Sequence, residues 1–273
     1  ILKVFTPCDR LVWSIHSAGP SINRMTRLVE WVCARLSPFF PERIVYSSAA
    51  AKDYFEGLHY SKKKSIVINN GIDIDLFKRS ISEGDSFRKK LDIDSETYVI
   101  GSVARWHPVK DHATFFESAS VLKTREKNIR ILCAGIGMDK SNAELMGLIE
   151  RFDLASQVIL LGVRSDMPSL MNALDLLVCS STSESFGNVV VEAMSCGTPV
   201  LTTDCGGPPQ IIGDSRFVVP VRDPVAMSES IFKIMELRNS MELADWCVEK
   251  SKSYSIEGMG LKYAALYSDL MND

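Results

Sequence analysis

Residues 181–197 read STSESFGNVVVEAMSCG and set two carboxylates, Glu184 and Glu192, eight positions apart. An apolar run at 174–179 leads in as a strand, and Gly197 and Pro199 close the segment as a helix stop. The pattern predicts strand, short loop and a helix of about ten residues. Gly187, Asn188 and Val189 would open that helix, with unpaired backbone N–H groups at its positive dipole end. Such an end receives phosphate. At a rise of 1.5 Å per residue, Glu192 falls roughly 7 Å beyond the opening turn. A nucleotide-diphosphate sugar has its parts in the same order. Glu184 would meet sugar hydroxyls, the amides the phosphates, and Glu192 the ribose. The pair also fits a capped surface helix with two solvated carboxylates.

The fuller phrase separates these readings. Ser181, Glu184, Phe186-Gly187, Glu192-Ala193-Met194, Gly197 and Pro199-Val200 stand at fixed offsets. Together they resemble the E-(seven residues)-E signature of retaining glycosyltransferases of family four, the glycosyl transferases group 1. The resemblance implies an α/β protein of GT-B type, with two Rossmann-like doubly wound domains. It implies that the first Glu holds the donor sugar and the second the ribose. The acceptor would attack from the leaving-group face, so no protein nucleophile is required. A nucleotide-sugar, UDP- or GDP-linked, is then substrate, and no cofactor or metal is expected.

Other residues point to the same chemistry. A strand at 98–103 is followed by Arg105 and Lys110 and a helix start at Asp111. Arg binds pyrophosphate as a fork and Lys as a point charge. The family pattern of Gly-Arg, a short gap and Lys matches, with Ala104 in place of the Gly. Gly135 and Gly137 end the next strand. The third glycine of a dinucleotide fingerprint would fall at Lys140, so only a tight, ligand-facing turn is expected. Ser141 and Glu144 read as a capping box opening the following helix. The resemblance puts the nucleotide base near the backbone of Val163 and Arg164. It also supports His16, which follows a strand at 11–15 where open α/β sheets gather ligands, as a donor-side residue. A loop or capping histidine is the other reading. Asp73-Ile74-Asp75 matches a metal-binding D-x-D but has no further ligand candidates nearby. Gln210 stands where the family usually has Glu.

Composition sets the limits. At 273 residues, 46% hydrophobic and 24% charged, the chain is globular with about two domains' worth of core. A net charge of −3 argues against a general nucleic-acid binder. The seven cysteines include no C-x-x-C pair, which suits free thiols in a reducing cytoplasm. The domain expectation is 1–72 for the rear part of an acceptor-side domain, 73–252 for the nucleotide-sugar domain and 253–273 for a helix crossing back. The N-terminal half of the first domain is expected to be missing. Residues 80–94 read as a polar linker, with a short helix near 87–91. A helix at 21–40 carries an apolar stripe of Met25, Leu28, Val29, Val32 and Leu36 beside Arg24, Arg27 and Arg35. It reads as a packing helix with snorkelling arginines, or as a peripheral contact with the inner face of the cell membrane. The expected function is transfer of a sugar, with retention, to a glycan or lipid-linked acceptor in cell-envelope polysaccharide synthesis. A GT-B sugar-nucleotide epimerase and an inactive nucleotide-binding fragment are the rivals.

Overall fold

The computed structural model describes residues 10–17, 24–126 and 128–272. Two parallel sheets organise the chain. The first has the order β1-β2-β3, from β1 (Val12–Ile15), β2 (Arg43–Tyr46) and β3 (Ser65–Val67). The helices α1 (Arg24–Leu36) and α2 (Ala49–Gly57) connect them. The expected loop at 18–20 and helix start at 21–23 lie outside the described residues, as does Cys8. The other six cysteines are unpaired, and all but Cys33 are buried.

After the Asn70-Gly71 turn comes α3 (Ile81–Lys90), where a linker was expected. Its signal was present. Ser80 accepts the Glu83 amide as an N-cap, and Phe87 is buried in the main core. A single buried aromatic among polar residues gives a weak periodic pattern, and tertiary packing supplies the rest.

The second sheet is six-stranded and parallel, in the order β6-β5-β4-β7-β8-β9. Its strands are β4 (Tyr98–Val103), β5 (Ile129–Ala134), β6 (Val158–Gly162), β7 (Leu176–Cys179), β8 (Val200–Thr203) and β9 (Val218–Val219). Between them run α4 (His112–Arg125), α5 (Ala143–Arg151), α6 (Met167–Asn172), α7 (Asn188–Ser195) and α8 (Gly207–Ile212). The strands β4, β5, β7 and β8 are buried almost throughout, which explains their continuous apolar runs. From β4 the chain winds outward through β5 and β6, then returns to lay β7 on the other side of β4. The carboxyl ends of β4 and β7 therefore flank the topological switch point, where such sheets bind ligands.

Two helix starts differ from expectation. Asn142, not Ser141, caps α5, accepting the Leu145 amide at 3.2 Å. The Ser141 hydroxyl is turned back to Asp139, and Glu144 accepts from Trp106 Nε1 at 3.2 Å. The Gly- and Pro-rich run 204–209 reads from the sequence as one turn; residues 204–206 form it, but Gly207, Pro208 and Pro209 begin α8. Proline is well placed there because the first turn has no intrahelical N–H partners to lose.

The chain closes with α9 (Pro224–Met235), α10 (Met241–Ser251) and α11 (Ile256–Asn272). Leu266 and Leu270 of α11 pack with Val45 and Ile68 of the first sheet. Ile72 N–H donates to the Tyr254 carbonyl and Ile256 N–H to the Ile72 carbonyl, both at 2.9 Å, so the end of the chain is stitched to the junction.

Two helical glycines test this packing with opposite signs. In an open helix Gly→Ala stabilises by about 0.5–1 kcal/mol. Gly147 in α5 is exposed with nothing near a new methyl group, so Gly147→Ala is expected to gain about that much. At Gly84 in α3 a Cβ would run into the Asn172 carbonyl of α6. Gly84→Ala is expected to lose ~1–3 kcal/mol instead. Denaturant unfolding of both variants checks the signs.

Candidate functional site

The loops after β4 and β7 meet over the switch point. Thr182 N–H donates to the Val109 carbonyl at 2.8 Å, and the Ser180 hydroxyl to the Lys110 carbonyl at 2.8 Å. Lys110 forms an ion pair with Glu184, whose same carboxylate oxygen accepts the Ser181 hydroxyl at 2.7 Å. The Glu184 backbone is pinned too. Its N–H donates to the Cys205 carbonyl at 2.7 Å, and its carbonyl accepts the Gly207 N–H at 3.0 Å. Three loops, after β4, β7 and β8, are thereby joined.

They enclose a cavity of about 590 Å³. Lining it are Arg105, Lys110, Glu184, Phe186, Gly187, Asn188, Val189 and Glu192 from the second sheet's loops, and His16 and Asn70 from the first sheet's side. Arg105 is exposed there, without a carboxylate partner among the described residues. Gly187 has φ of +91°, the left-handed region that suits glycine, and lets α7 start abruptly at the cavity wall. Among the described residues no side chain caps that start, so the amides of Asn188 and Val189 are left for solvent or ligand, while the Val190 N–H turns back to the Gly187 carbonyl at 2.9 Å. The Phe186 ring is 2% exposed and meets Tyr254 edge-on at 5.5 Å, anchoring the loop in the core.

Glu192 lies one turn inside α7. Burial pushes its carboxyl up to about 7, and no hydrogen-bond or ion-pair partner among the described residues offsets that cost. His16, at the end of β1, is exposed and exchanges a hydrogen bond of 2.8 Å with the Ser14 hydroxyl. The first sheet reaches the same loops directly. Ser47 Oγ lies 2.6 Å from Ser185 Oγ, and Asn70 Nδ2 donates to Asn188 Oδ1 at 2.9 Å. Gln210 Oε1 accepts the Ala50 N–H at 3.3 Å, near the start of α2.

Not every expected residue reaches the cavity wall. Ser181 is buried behind it, holding Glu184. Gly135 and Gly137 sit one layer back. A Cβ on Gly135 would strike the Ala104 carbonyl, and one on Gly137 would come within 2.9 Å of Trp106 Cβ. These glycines let the β5 turn pass close beneath the Arg105 loop. Val163 is exposed beyond the edge strand β6, and Arg164 is clamped by Asp166 through bonds of 2.8 and 2.6 Å. Asp73 is used by its own turn, accepting the Asp75 and Leu76 amides at 3.1 and 2.9 Å. Among the described residues no cluster of three or more His, Cys, Asp or Glu could hold a metal. Sequence reasoning passed over Asn70, His107 and Ser185 as site residues, though all three line the cavity. Asn70 had a signal in its Asn-Gly turn, and His107 and Ser185 lie inside the two phrases already singled out, between Arg105 and Lys110 and beside Glu184.

A doubly wound sheet with cations, helix amides and two carboxylates at its switch point has the layout of a nucleotide-binding α/β domain. The chain belongs to the family Glycosyl transferases group 1, which matches residues 84–254. It is 28% identical over 239 residues to the D-inositol 3-phosphate glycosyltransferase of Corynebacterium urealyticum, covering 83% of this chain and 56% of the relative. It is 26% identical over 203 residues to the N-acetyl-alpha-D-glucosaminyl L-malate synthase of Bacillus anthracis, covering 72% of this chain and 51% of that protein. The chain thus spans about half the length of these curated relatives. Among solved structures, Anabaena HepE in complex with UDP superposes with a TM-score of 0.84 at 26% identity, covering 95% of this chain and 72% of HepE. HepE has also been solved with UDP-glucose. The lipopolysaccharide glycosyltransferase WaaG, at 20% identity and a TM-score of 0.73, shares the fold. The expected GT-B class of α/β fold is therefore borne out.

The buried Glu192 carboxyl makes stability depend on pH. The folded state holds its proton to about 7, against 4.5 for an ordinary Glu. Between these values the folded state binds more protons than the unfolded one, so stability falls as pH rises. We expect the wild type to lose ~1–3 kcal/mol from this group between pH 5 and pH 8. Glu192→Gln should remove that loss and be the more stable form at pH 8. Urea unfolding of both proteins at the two pH values measures it.

Proposed function

We propose that this chain supplies the donor site of a retaining glycosyltransferase that moves a sugar from a nucleotide-diphosphate sugar to a glycan or lipid-linked acceptor. The observation that carries the reading is the convergence of Arg105, Lys110, the uncapped start of α7, Glu184 and Glu192 on one cavity at the switch point. Arg105, Lys110 and the α7 amides take the diphosphate and stabilise the charge that develops as the glycosidic bond breaks. Lys110, paired with Glu184, shares its protons with the incoming phosphate. Glu192 accepts the ribose hydroxyls, which favours its ionised form. Glu184 and His16 face the sugar, and the base lies toward Val163 and Arg164. UDP is the favoured nucleotide because HepE, the solved relative with the UDP complexes, is similar over nearly the whole of this chain. The proposed boundaries are 1–72 for the acceptor side, 73–252 for the donor domain and 253–273 for the returning helix.

Calorimetric titration with UDP, GDP and uridine tests the reading. Binding of UDP is expected to survive EDTA. Arg105→Ala should weaken UDP by ~10- to 100-fold and uridine hardly at all, because the lost contacts are charge-assisted. Glu192→Ala should weaken UDP and uridine alike. A chelator that abolishes UDP binding, or equal losses of UDP and uridine in Arg105→Ala, would contradict the assignment.

We further propose a peripheral contact with the cytoplasmic face of a membrane. No helix among the described residues is long and apolar enough to cross one. The stripe on α1 does not pack inward as a core face would. Met25, Leu28, Val29 and Val32 are exposed, and Ala34 is the buried residue of that helix. With Arg24, Arg27 and Arg35 alongside, this face suits an anionic lipid surface. The chain is expected to float with vesicles containing phosphatidylglycerol and to stay behind with pure phosphatidylcholine. Equal behaviour with both would remove the proposal.

A further inference from the structure

We propose that His112 is a positioning residue for the diphosphate-binding loop, holding the backbone of Arg105 in place from behind. This rests on the role given to Arg105 above. His112 opens α4 and is 4% exposed. Its Nε2 lies 3.1 Å from the Arg105 carbonyl oxygen. A carbonyl only accepts, so Nε2 carries the proton and Nδ1 the lone pair. Nδ1 is buried and has no hydrogen-bond partner among the described residues. A helix start has no need of such a group, because Asp111 already caps α4 through Thr114 N–H. An apolar ring would fill the same space without an orphaned nitrogen. The bond to Arg105 is what the imidazole adds.

The ring also ties the loop sideways. It stacks on Trp106 with centroids 5.1 Å apart and planes 8° from parallel. Trp106 donates its backbone N–H to the Ile136 carbonyl at 2.7 Å, and its Cβ rests against Gly137. The β5 glycine turn, Trp106, His112 and Arg105 are therefore one continuous support. Burial and the nearby Lys110 both lower the proton affinity of His112, against the opposing pull of its bond to Arg105, and keep the ring neutral. Its N–H is fixed by the carbonyl rather than available to a ligand.

Two variants separate positioning from packing. His112→Phe keeps a ring on Trp106 but removes the donor. His112→Gln restores an N–H close to the Nε2 position. UDP and uridine are titrated calorimetrically into each, with melting temperature followed in parallel. His112→Phe is expected to weaken UDP ~5- to 30-fold and to leave uridine within about twofold. His112→Gln should recover UDP affinity to within about threefold of wild type. No loss of UDP affinity in the Phe variant, equal loss of uridine, or no recovery with Gln overturns the proposal. Arg105→Ala in the same series keeps the two readings apart. If it leaves UDP affinity unchanged, the diphosphate role of Arg105 fails; if it weakens UDP while His112→Phe does not, only the positioning role fails. Should the Phe variant not fold, the wild type labelled with ¹⁵N-histidine gives the answer. An Nε2–H tautomer whose resonance moves with UDP and not with uridine is expected. An Nδ1–H tautomer, or a resonance indifferent to UDP, overturns it.

Discussion

The ion pair between Lys110 and Glu184 joins the two loops that flank the switch point, and the site is built around it. Both side chains are largely shielded, with 21% and 15% of their surface exposed. Removing either partner from such a pair leaves an uncompensated, partly desolvated charge, so the two are held together strongly. Glu184 is fixed from three directions: by Ser181, by the Cys205 carbonyl and by the Gly207 amide. A ligand phosphate therefore meets a lysine already in place, and little ordering remains to be done on binding. Arg105, by contrast, reaches into the cavity without an acidic partner of its own among the described residues.

The first sheet depends on the same loops. Ser47 meets Ser185, Asn70 meets Asn188, and the amide near the start of α2 meets Gln210. These are hydrogen bonds between polar groups at the cavity rim, not a continuous apolar seam. The apolar connection runs elsewhere, through Leu266 and Leu270 of α11 against Val45 and Ile68. An arrangement of this kind combines an apolar anchor with exchangeable polar contacts beside the site. Gln210, which replaces the usual acidic residue of the family phrase, supplies a neutral acceptor to one of those contacts.

Much of the six-stranded half was legible in the sequence because parallel strands buried on both faces leave unbroken apolar runs. The run at 98–103 became β4 and that at 129–134 became β5, residue for residue. The phrase around Glu184 and Glu192 was legible for a different reason: its residues stand at the fixed offsets of the family signature. What stayed hidden depended on distant neighbours. Ser141 looked like the cap of α5, but Asp139 takes its hydroxyl and Asn142 takes the place. Gly135 and Gly137 looked ligand-facing, but their freedom is used to pass beneath Ala104 and Trp106. The helix α3 was read as linker because its one buried aromatic, Phe87, acquires partners only when α6 is in place. The Trp106–His112 stack is local in sequence, yet its purpose shows only when the Arg105 carbonyl is seen against the ring.

The cavity at the carboxyl ends of β4 and β7 is proposed to bind a nucleoside diphosphate. A crystal structure of the chain with UDP tests it most directly. The β-phosphate is expected within hydrogen-bonding distance of Arg105, Lys110 and the first amides of α7, with the ribose hydroxyls on Glu192. UDP bound elsewhere, for instance in the cleft at the opposite ends of these strands beside Arg79 and Arg238, or in this cavity with its phosphates turned away from Arg105 and Lys110, would contradict it.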